Sequence, residues 1–244
     1  MDKYFKGKRI LVTGGCQGMG RGIALELWRQ GSNVVIISNQ AENLEAIKKE
    51  YPSIETYCVD LRDWVKTREI VDSIGVLDAL VNNAGICITE SFFECSPQSW
   101  DAIMEINVKS IINITQIVTK KMIDNNVKGS IVNISSQASK AALTDHVAYC
   151  ASKSAVDSLT RVMALELGPL GIRVNSVNPT VILTDLGRKA WADPTKSQAM
   201  LSKIPLGRFG EVQEVVDTVL FLLSDSASMI SGVHLPVDGG FLAT

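Results

Sequence analysis

Short apolar runs that alternate with longer stretches of helical spacing are the feature that most constrains the fold of this chain. The runs are rich in β-branched residues, and they lie at 8–13, 33–38, 54–59, 77–82, 129–134, 172–177 and 232–237. Between them, apolar residues recur with helical spacing at about 18–30, 41–50, 63–73, 97–125, 149–167 and 211–224. This order is typical of successive βα units, whose right-handed crossovers place helices on both faces of a sheet. We therefore predict an α/β fold with a doubly wound parallel sheet of about seven strands.

The alternation continues through residues 1–244 without a linker, an internal repeat or a low-complexity stretch. We therefore expect one domain, 1–244. The irregular part is 185–207, where Pro194 and Pro205 interrupt the helical spacing. A segment of this length in an otherwise economical domain predicts a substrate loop or lid.

Charge and composition exclude several classes of function. The chain has 24 basic and 26 acidic residues, a formal net charge of -2, and no basic run that could track a phosphate backbone, so we expect no nucleic acid partner. Its five cysteines form neither a CxxC pair nor a cluster with histidine, which argues against a disulfide framework and a metal site. No apolar stretch is long enough for a signal peptide or a membrane span, so we expect a soluble, cytoplasmic protein.

A glycine-rich turn, Thr13-Gly14-Gly15-Cys16-Gln17-Gly18-Met19-Gly20, joins the first predicted strand to the first predicted helix. Gly14 permits the sharp turn, Gly18 lets the backbone approach a pyrophosphate, and Gly20 allows close packing of helix on strand. The helix N-terminus offers free N–H groups to the anion. Glycine also closes ordinary turns, but the strand before and the amphipathic helix after favour a Rossmann-like dinucleotide site.

Tyr149 and Lys153 lie four residues apart in a predicted helix, so their side chains share one face. Ser136 ends the fifth predicted strand. A lysine ammonium beside a phenol, together with an oxidised nicotinamide, lowers the pKa of the phenol towards neutrality and makes it a usable acid and base. Taken alone, the tyrosine could simply pack and the lysine be solvated.

The GxxxGxG spacing of the turn resembles the short-chain dehydrogenase/reductase family, and the resemblance spans nearly the whole chain. Further matches occur in order along the sequence, at Asp60-Leu61, at Asn82-Asn83-Ala84-Gly85 and at Asn178-Pro179-Thr180 with Thr184. The resemblance implies hydride transfer between a nicotinamide cofactor and a carbonyl or alcohol.

By the same resemblance, the catalytic residues are Asn107, Ser136, Tyr149 and Lys153. Tyr149 would protonate the carbonyl oxygen during reduction, and Ser136 would hydrogen-bond to that oxygen. Lys153 would bind the nicotinamide ribose, and Asn107 would hold a water that links Lys153 to solvent.

The cofactor would contact the glycine turn, the ends of the neighbouring strands and the segment after the sixth strand. The residues predicted to bind it are Gly14, Gln17, Gly18, Met19, Gly20, Ser38, Asn39, Asp60, Leu61, Asn83, Ala84, Gly85, Tyr149, Lys153, Pro179, Ile182 and Thr184. At the end of the second strand, an acid selects a free ribose 2′-hydroxyl and a base selects a 2′-phosphate. Here neutral Ser38 and Asn39 occupy that place, and Gln17 stands where NADP(H)-using relatives carry another base.

We expect NADP(H), because neutral hydroxyl and amide donors can still bind phosphate oxygens, with Arg21 or Arg62 as distant charge partners. NAD(H) is the alternative, and it would suit an alcohol or polyol dehydrogenase. A non-catalytic dinucleotide-binding protein is a third alternative, which the complete catalytic set argues against.

Within the family, residues 135–137, 162–169, 177–187 and 203–212 resemble the branch of dicarbonyl/L-xylulose reductases, also called tetrameric carbonyl reductases. The resemblance implies reduction of L-xylulose to xylitol and of α-dicarbonyls such as diacetyl with NADPH. It also implies a homotetramer, and the apolar residues on more than one face of the helices at 101–125 and 149–167 agree with that.

The substrate would lie beside loops that combine hydrogen-bonding groups with one large apolar side chain. Its predicted contacts are Ser136, Gln137, Leu143, His146, Tyr149 and Trp191. His146 could equally be an ordinary loop histidine, and Trp191 could anchor the lid or a neighbouring subunit. Asp145 stands where the relatives are expected to carry an uncharged amide, and it would favour hydroxyl-rich substrates over anionic ones.

Overall fold

A seven-stranded parallel sheet organises residues 4–243, the part of the chain that the computed structural model describes, apart from the side chain of Lys196. The strands are β1 Arg9–Thr13, β2 Asn33–Ser38, β3 Glu55–Cys58, β4 Ala79–Asn82, β5 Ser130–Ile134, β6 Arg173–Pro179 and β7 His234–Val237. Their order across the sheet is β3-β2-β1-β4-β5-β6-β7, and each neighbouring pair is parallel. The predicted doubly wound fold class is confirmed.

Helices connect successive strands and cover both faces of the sheet. They are α1 Gly18–Arg29, α2 Ala41–Glu50, α3 Trp64–Ser73, α4 Pro97–Met104, α5 Ser110–Asp124, α6 Val147–Leu167, α7 Asp185–Ala190, α8 Pro194–Leu201 and α9 Val212–Leu223. Short 3-10 turns lie at Gln137–Ser139, Gly168–Leu170, Asp225–Ala227 and Phe241–Ala243. Between residues 4 and 243, none of the helices has the length and apolarity that crossing a bilayer requires.

Alternating side chains of each strand enter two separate hydrophobic clusters. Ile10 and Val12 of β1 face one cluster with α1 and α9, whereas Leu11 faces the other cluster with α3 and α5. Both faces of the central strands are therefore buried, which explains why these strands appear in the sequence as continuous apolar runs.

Two stretches differ from the sequence prediction. The expected helix at 97–125 is interrupted by a π-helical turn at Glu105–Lys109, which separates α4 from α5. The expected irregular segment at 185–207 contains the short helices α7 and α8. Pro194 starts α8 rather than breaking it, because a proline in the first helical turn gives up no intrahelical hydrogen bond, and Asp193 caps the same helix by accepting from the Thr195 N–H over 2.8 Å.

The strand order reverses direction between β1 and β4, because the chain builds outwards from β1 to β3 and then returns to the other side of β1. At such a switch point, the crossovers leave towards opposite faces and open a crevice at the carboxyl ends of the strands. The topology therefore places a binding crevice between the turns after β1 and β4.

Candidate active site

A cavity of about 370 Å³ lies at this switch point, within the size range of small-molecule sites. Its wall is built from the turns after β1 to β4 and from the start of α7. Most of the residues predicted to bind a cofactor line it, namely Gly14, Gln17, Gly18, Met19, Gly20, Ser38, Asn39, Asp60, Leu61, Asn83, Ala84, Gly85 and Thr184. Residues from five separate parts of the sequence thus converge on one cavity.

The cavity wall also contains residues that the sequence did not single out, namely Cys16, Ile37, Gln40, Val59, Ile86, Ile106, Asp185 and Leu186. Most of them are next to a predicted residue in the sequence, so they could have been found by extending each motif by one residue. Leu186 had no such signal, because it lies two residues beyond Thr184 in α7. Ile106 adjoins Asn107 and reaches the cavity from the π-helical turn. Pro179, Ile182, Tyr149 and Lys153 are not among the residues that form the wall of this cavity.

The glycine turn fits tightly against the end of β4. Gly14 has a φ of 63°, a conformation that favours glycine, and a Cβ there would come within 3.0 Å of the Asn83 Nδ2. A Cβ at Gly20 would collide with the carbonyl oxygen of Gly14. The Asn83 amide donates to the carbonyl oxygens of Thr13 over 2.9 Å and of Gly14 over 3.2 Å, which fixes the turn from the side of β4.

The N-terminus of α1 lies on the cavity and has no side-chain cap, since Gln17 makes no capping hydrogen bond. The first N–H groups of a helix have no intrahelical partners and carry a partial positive charge. This combination of a glycine cradle and an uncapped helix end fits the pyrophosphate of a dinucleotide.

The end of β2 presents neutral groups to the cavity. Cys16 donates from Sγ to the Ser38 Oγ over 3.0 Å, and Asn39 and Gln40 follow along the wall. The two arginines that the sequence offered as charge partners are both engaged. Arg62 hydrogen-bonds from Nε to the Asp60 carboxylate at 3.0 and 3.1 Å and lowers the pKa of Asp60, and Arg21 forms an ion pair with Glu50 at 3.2 Å.

Asn107 lies in the π-helical turn, and its side chain is buried. Its Nδ2 donates to the Ile86 carbonyl oxygen over 2.9 Å and to the Ser152 Oγ over 3.0 Å. Its Oδ1 accepts from the Ile86 N–H over 2.8 Å. The amide therefore joins the segment after β4 to α6, the helix that carries Tyr149 and Lys153.

The Lys153 ammonium is buried where the cavity meets α6. Its Nζ donates to the Ile134 carbonyl oxygen over 2.9 Å and lies 5.6 Å from the centroid of the Tyr149 ring. A Cβ added to Gly85, a residue of the cavity wall, would be 3.5 Å from the same Nζ. Burial lowers the pKa of Lys153 to about 8. The cavity and the predicted catalytic group are therefore immediate neighbours.

Tyr149 and Ser136 are joined by a side-chain hydrogen bond. Burial raises the pKa of Tyr149 to about 12, and the bond with Ser136 acts in the opposite direction. The sequence predicts that the ammonium of Lys153, together with an oxidised nicotinamide, lowers the pKa of this phenol. In the structure desolvation is the larger effect, because the phenolate is the form that burial penalises. The hydroxyl is thus held protonated, ready to donate.

The residues predicted to contact substrate lie in three environments. Gln137 follows Ser136 and is 2% exposed, and its buried Oε1 has no hydrogen-bond partner among the described residues. His146 directly precedes α6, and its ring centroid is 6.1 Å from that of Tyr149. Leu143, three residues earlier in the chain, is half-buried. Trp191 packs 5.4 Å from Phe209 in a small hydrophobic cluster of the lid segment, which agrees with its alternative role as an anchor.

Comparison with known proteins identifies the family. A family model described as enoyl-(acyl carrier protein) reductase matches residues 14–242. A short-chain type dehydrogenase/reductase from Mycobacterium ulcerans superposes with a TM-score of 0.94 and 31% identity, over 98% of this chain and 91% of the other. The chain is a short-chain dehydrogenase/reductase. The resemblance drawn from the motifs is confirmed, and the protein is an oxidoreductase.

Two curated members of the family align with the whole of this short-chain dehydrogenase/reductase. L-xylulose reductase of Mus musculus is 50% identical over 244 residues, which is 100% of each chain. Carbonyl reductase [NADPH] 2 of Sus scrofa is 41% identical over 244 residues, again 100% of each chain.

Proposed function

We propose that this short-chain dehydrogenase/reductase catalyses the NADP(H)-dependent reduction of small carbonyls, namely L-xylulose to xylitol and α-dicarbonyls such as diacetyl. The observation that carries the proposal is the position of the Lys153 ammonium, 3.5 Å from where a Cβ of Gly85 would lie in the cavity wall and one helical turn from Tyr149. The names of the two full-length relatives support the class of substrate.

The cavity fits a nicotinamide dinucleotide, with the pyrophosphate at Gly18 and the uncapped N-terminus of α1, the adenine near Asp60 and Leu61, and the nicotinamide end towards Thr184. Pro179 and Ile182 would support that end from the segment between β6 and α7. When bound there in its reduced form, the cofactor supplies the hydride.

In the reduction we propose, Tyr149 donates its phenolic proton to the carbonyl oxygen of the substrate as the carbonyl carbon becomes an alcohol carbon. Ser136 hydrogen-bonds to the same oxygen and stabilises the negative charge that develops on it. Lys153 stabilises the phenolate left on Tyr149 and holds the ribose. Gln137 offers its unpartnered Oε1, buried beside Ser136, to a substrate hydroxyl.

For the choice of cofactor, NADP(H) is supported by the NADPH in the name of the relative from Sus scrofa. The side chains of Gln17, Ser38 and Asn39 can hydrogen-bond to a 2′-phosphate. NAD(H) is the second candidate, because this part of the cavity is lined by neutral groups and both nearby arginines are paired with carboxylates.

A substrate panel tests the proposal. Purified protein is assayed with diacetyl, L-xylulose and xylitol, each with both nicotinamides in the appropriate redox state. We expect NADPH oxidation with the first two compounds and NADP+ reduction with xylitol. Activity confined to bulky hydrophobic ketones would contradict the assignment to small polar carbonyls, and a strong preference for NADH would contradict the cofactor.

We also propose that the protein is a homotetramer in the cytoplasm. Val162 and Leu165 of α6 are 47% and 77% exposed, and an apolar helix face of this kind suits a contact between subunits. Light scattering of the purified protein tests the assembly, with a monomeric mass as the contrary outcome. Fractionation of the source cells tests the location.

A further inference from the structure

A buried carboxylate lies on the catalytic helix, two turns beyond the tyrosine. Asp157 follows Lys153 by four residues and Tyr149 by eight in α6, so the three side chains share one face. Asp157 is 5% exposed and Lys153 is 4% exposed. Burying a carboxylate is unfavourable unless it is hydrogen-bonded, so a carboxylate at this place calls for an explanation.

Polar side chains from two other elements bind this carboxylate. Ser139, in the 3-10 turn after β5, donates to Oδ2 over 2.7 Å. Asn178, in β6, lies with its Nδ2 at 3.1 Å from both carboxylate oxygens. Ser176 adds a weaker contact to Oδ1 at 3.4 Å. Hydrogen bonds to a charged acceptor are stronger than hydrogen bonds between neutral groups. This cluster therefore holds α6 against β6 and against the 3-10 turn.

The same asparagine reaches the catalytic serine. Asn178 is fully buried, and its Nδ2 also lies 3.2 Å from the carbonyl oxygen of Ser136 and 3.0 Å from the Ser139 Oγ. Ser136 in turn accepts at Oγ from the Ala138 N–H over 3.1 Å, which sets the direction of its hydroxyl. One amide therefore contacts both the carboxylate of the catalytic helix and the turn that carries the serine.

We propose that Asp157 is a positioning residue for the reaction, which acts through Asn178 and Ser139 to fix the Ser136 hydroxyl against the hydroxyl of Tyr149. The inference rests on the proposed carbonyl reduction. Both hydroxyls must reach one substrate oxygen, and a misplacement of about 1 Å lowers a rate by about 10²-fold. Asp157, Asn178 and Ser139 do not line the cofactor cavity of the described chain, and the Lys153 Nζ has its own hydrogen bond to the Ile134 carbonyl oxygen, so we expect the loss of the Asp157 charge to change cofactor affinity little.

The charge of Asp157 has a second effect, on the neighbouring ammonium. It raises the pKa of Lys153 against the larger, opposing influence of burial. Cys87 acts on the pKa of Lys153 in the same direction as Asp157. His234 on β7 also faces the carboxylate, with its Nδ1 3.7 Å from Oδ1, and Arg161 and Lys140 act in turn on the pKa of His234. Burial lowers the pKa of His234, and its Nε2 lies 2.9 Å from the Arg161 guanidinium, so it is neutral near pH 7 and does not replace the charge.

The test is Asp157→Asn, which keeps the size of the side chain and removes its charge. We expect kcat to fall about 10- to 100-fold, while KM and the Kd for NADPH stay within about twofold. The alkaline limb of the kcat profile moves to lower pH, because Lys153 loses the charge that favours its ammonium. Glu166→Gln is the matched control, since it removes an exposed carboxylate from the same helix, and it leaves all four quantities unchanged.

Ser139→Ala is the milder companion variant, because it removes one donor and keeps the carboxylate. We expect a fall in kcat of about fivefold without a shift of the alkaline limb. If Asp157→Asn does not fold, an unchanged kcat in Ser139→Ala overturns the proposal. It is equally overturned if Asp157→Asn keeps the wild-type kcat and pH profile, or if it loses NADPH affinity in parallel with kcat, as general damage to the fold would cause.

Crystal structures of the wild type and of Asp157→Asn separate this proposal from the proposed function. We expect the distance between the Ser136 and Tyr149 hydroxyls to increase in the variant, and an unchanged distance overturns the positioning role whatever the substrate is. A wild-type protein that reduces none of the carbonyls overturns the proposed function alone.

Discussion

Lys153 donates a hydrogen bond from its Nζ to the carbonyl oxygen of Ile134 over 2.9 Å. Ser135, the next residue of the chain, donates from its hydroxyl back to the Lys153 carbonyl oxygen over 3.2 Å. The end of β5 and helix α6 are thus joined in both directions. An ammonium has three donors, so the bond to Ile134 orients the group and leaves further N–H bonds for the ribose that we propose it holds.

Tyr149→Phe tests the proposed proton donor. We expect kcat for diacetyl to fall at least about 10³-fold, because the phenol provides the general acid and nothing replaces it. The Kd for NADPH, measured by fluorescence titration, stays within about twofold, since the phenol acts on the substrate oxygen and the variant keeps Lys153, which we propose holds the ribose.

Tyr51→Phe is the control for this variant, because Tyr51 hydrogen-bonds to Glu50 outside the site and should leave both quantities unchanged. Undiminished turnover in Tyr149→Phe would contradict the mechanism. It would also favour the alternative of a dinucleotide-binding protein without this chemistry.

The pH dependence of the reduction reports on Lys153. Burial lowers the pKa of its ammonium to about 8, so the positive charge is present below that pH and is lost above it. Because the proposed mechanism uses the ammonium to stabilise the phenolate, we expect kcat/KM to fall above about pH 8. A profile for diacetyl reduction from pH 6 to pH 10 measures this, and a flat profile throughout would contradict the role of the ammonium.

The sequence predicted the sheet and the shared face of Tyr149 and Lys153, because both depend on local periodicity that is visible along the chain. The π-helical turn at Asn107 was not predicted. In that turn the Asn107 side chain hydrogen-bonds to Ile86 and Ser152, which are far from it in the sequence. Apolar spacing carries no trace of such contacts, so the stretch looked like one continuous helix.

In the candidate site too, features that depend on local sequence were predictable and features that depend on tertiary contacts were not. The glycine turn was predictable as a cradle, since its spacing follows a known physical requirement. The rise of the Tyr149 pKa was not predictable from the sequence, because desolvation depends on which groups the fold packs around the phenol. The contact of Asp157 with Asn178 arises only when β6 returns beside α6, and neither residue belongs to a local pattern that would have paired them.

Asn39→Arg tests the neutral lining at the end of β2. An arginine there can bind a 2′-phosphate, and hydrogen bonds to charged groups contribute about 1.5–3 kcal/mol, so the ratio of the Kd for NADH to that for NADPH should rise about 10- to 100-fold. Isothermal titration calorimetry with both cofactors measures the ratio.

Asn33→Arg is the matched control, because Asn33 is exposed at the opposite end of the same strand, away from the cavity. It adds the same charge and should leave the ratio unchanged. If both variants raise the ratio equally, net charge rather than the position of residue 39 is responsible.

The pairing of Glu214 with Arg208 should make stability depend on acid pH. Arg208 donates to the Glu214 carboxylate at 2.7 and 2.8 Å, the Glu211 N–H donates to it at 2.8 Å, and together they hold the pKa of Glu214 at about 2. A carboxyl group whose pKa is lower in the folded chain than in the unfolded chain stabilises the fold. This contribution is fully present above the ordinary pKa near 4.5 and is lost as the pH falls towards 2.

Glu214→Gln should therefore lower the Tm at pH 7, and the difference in Tm from the wild type should shrink as the pH falls below 4.5. Thermal melts followed by circular dichroism between pH 7 and pH 3 measure it, with Asp217→Asn on the same helix as the control. A difference that stays constant down to pH 3 would show that the carboxylate charge is not what stabilises this end of α9.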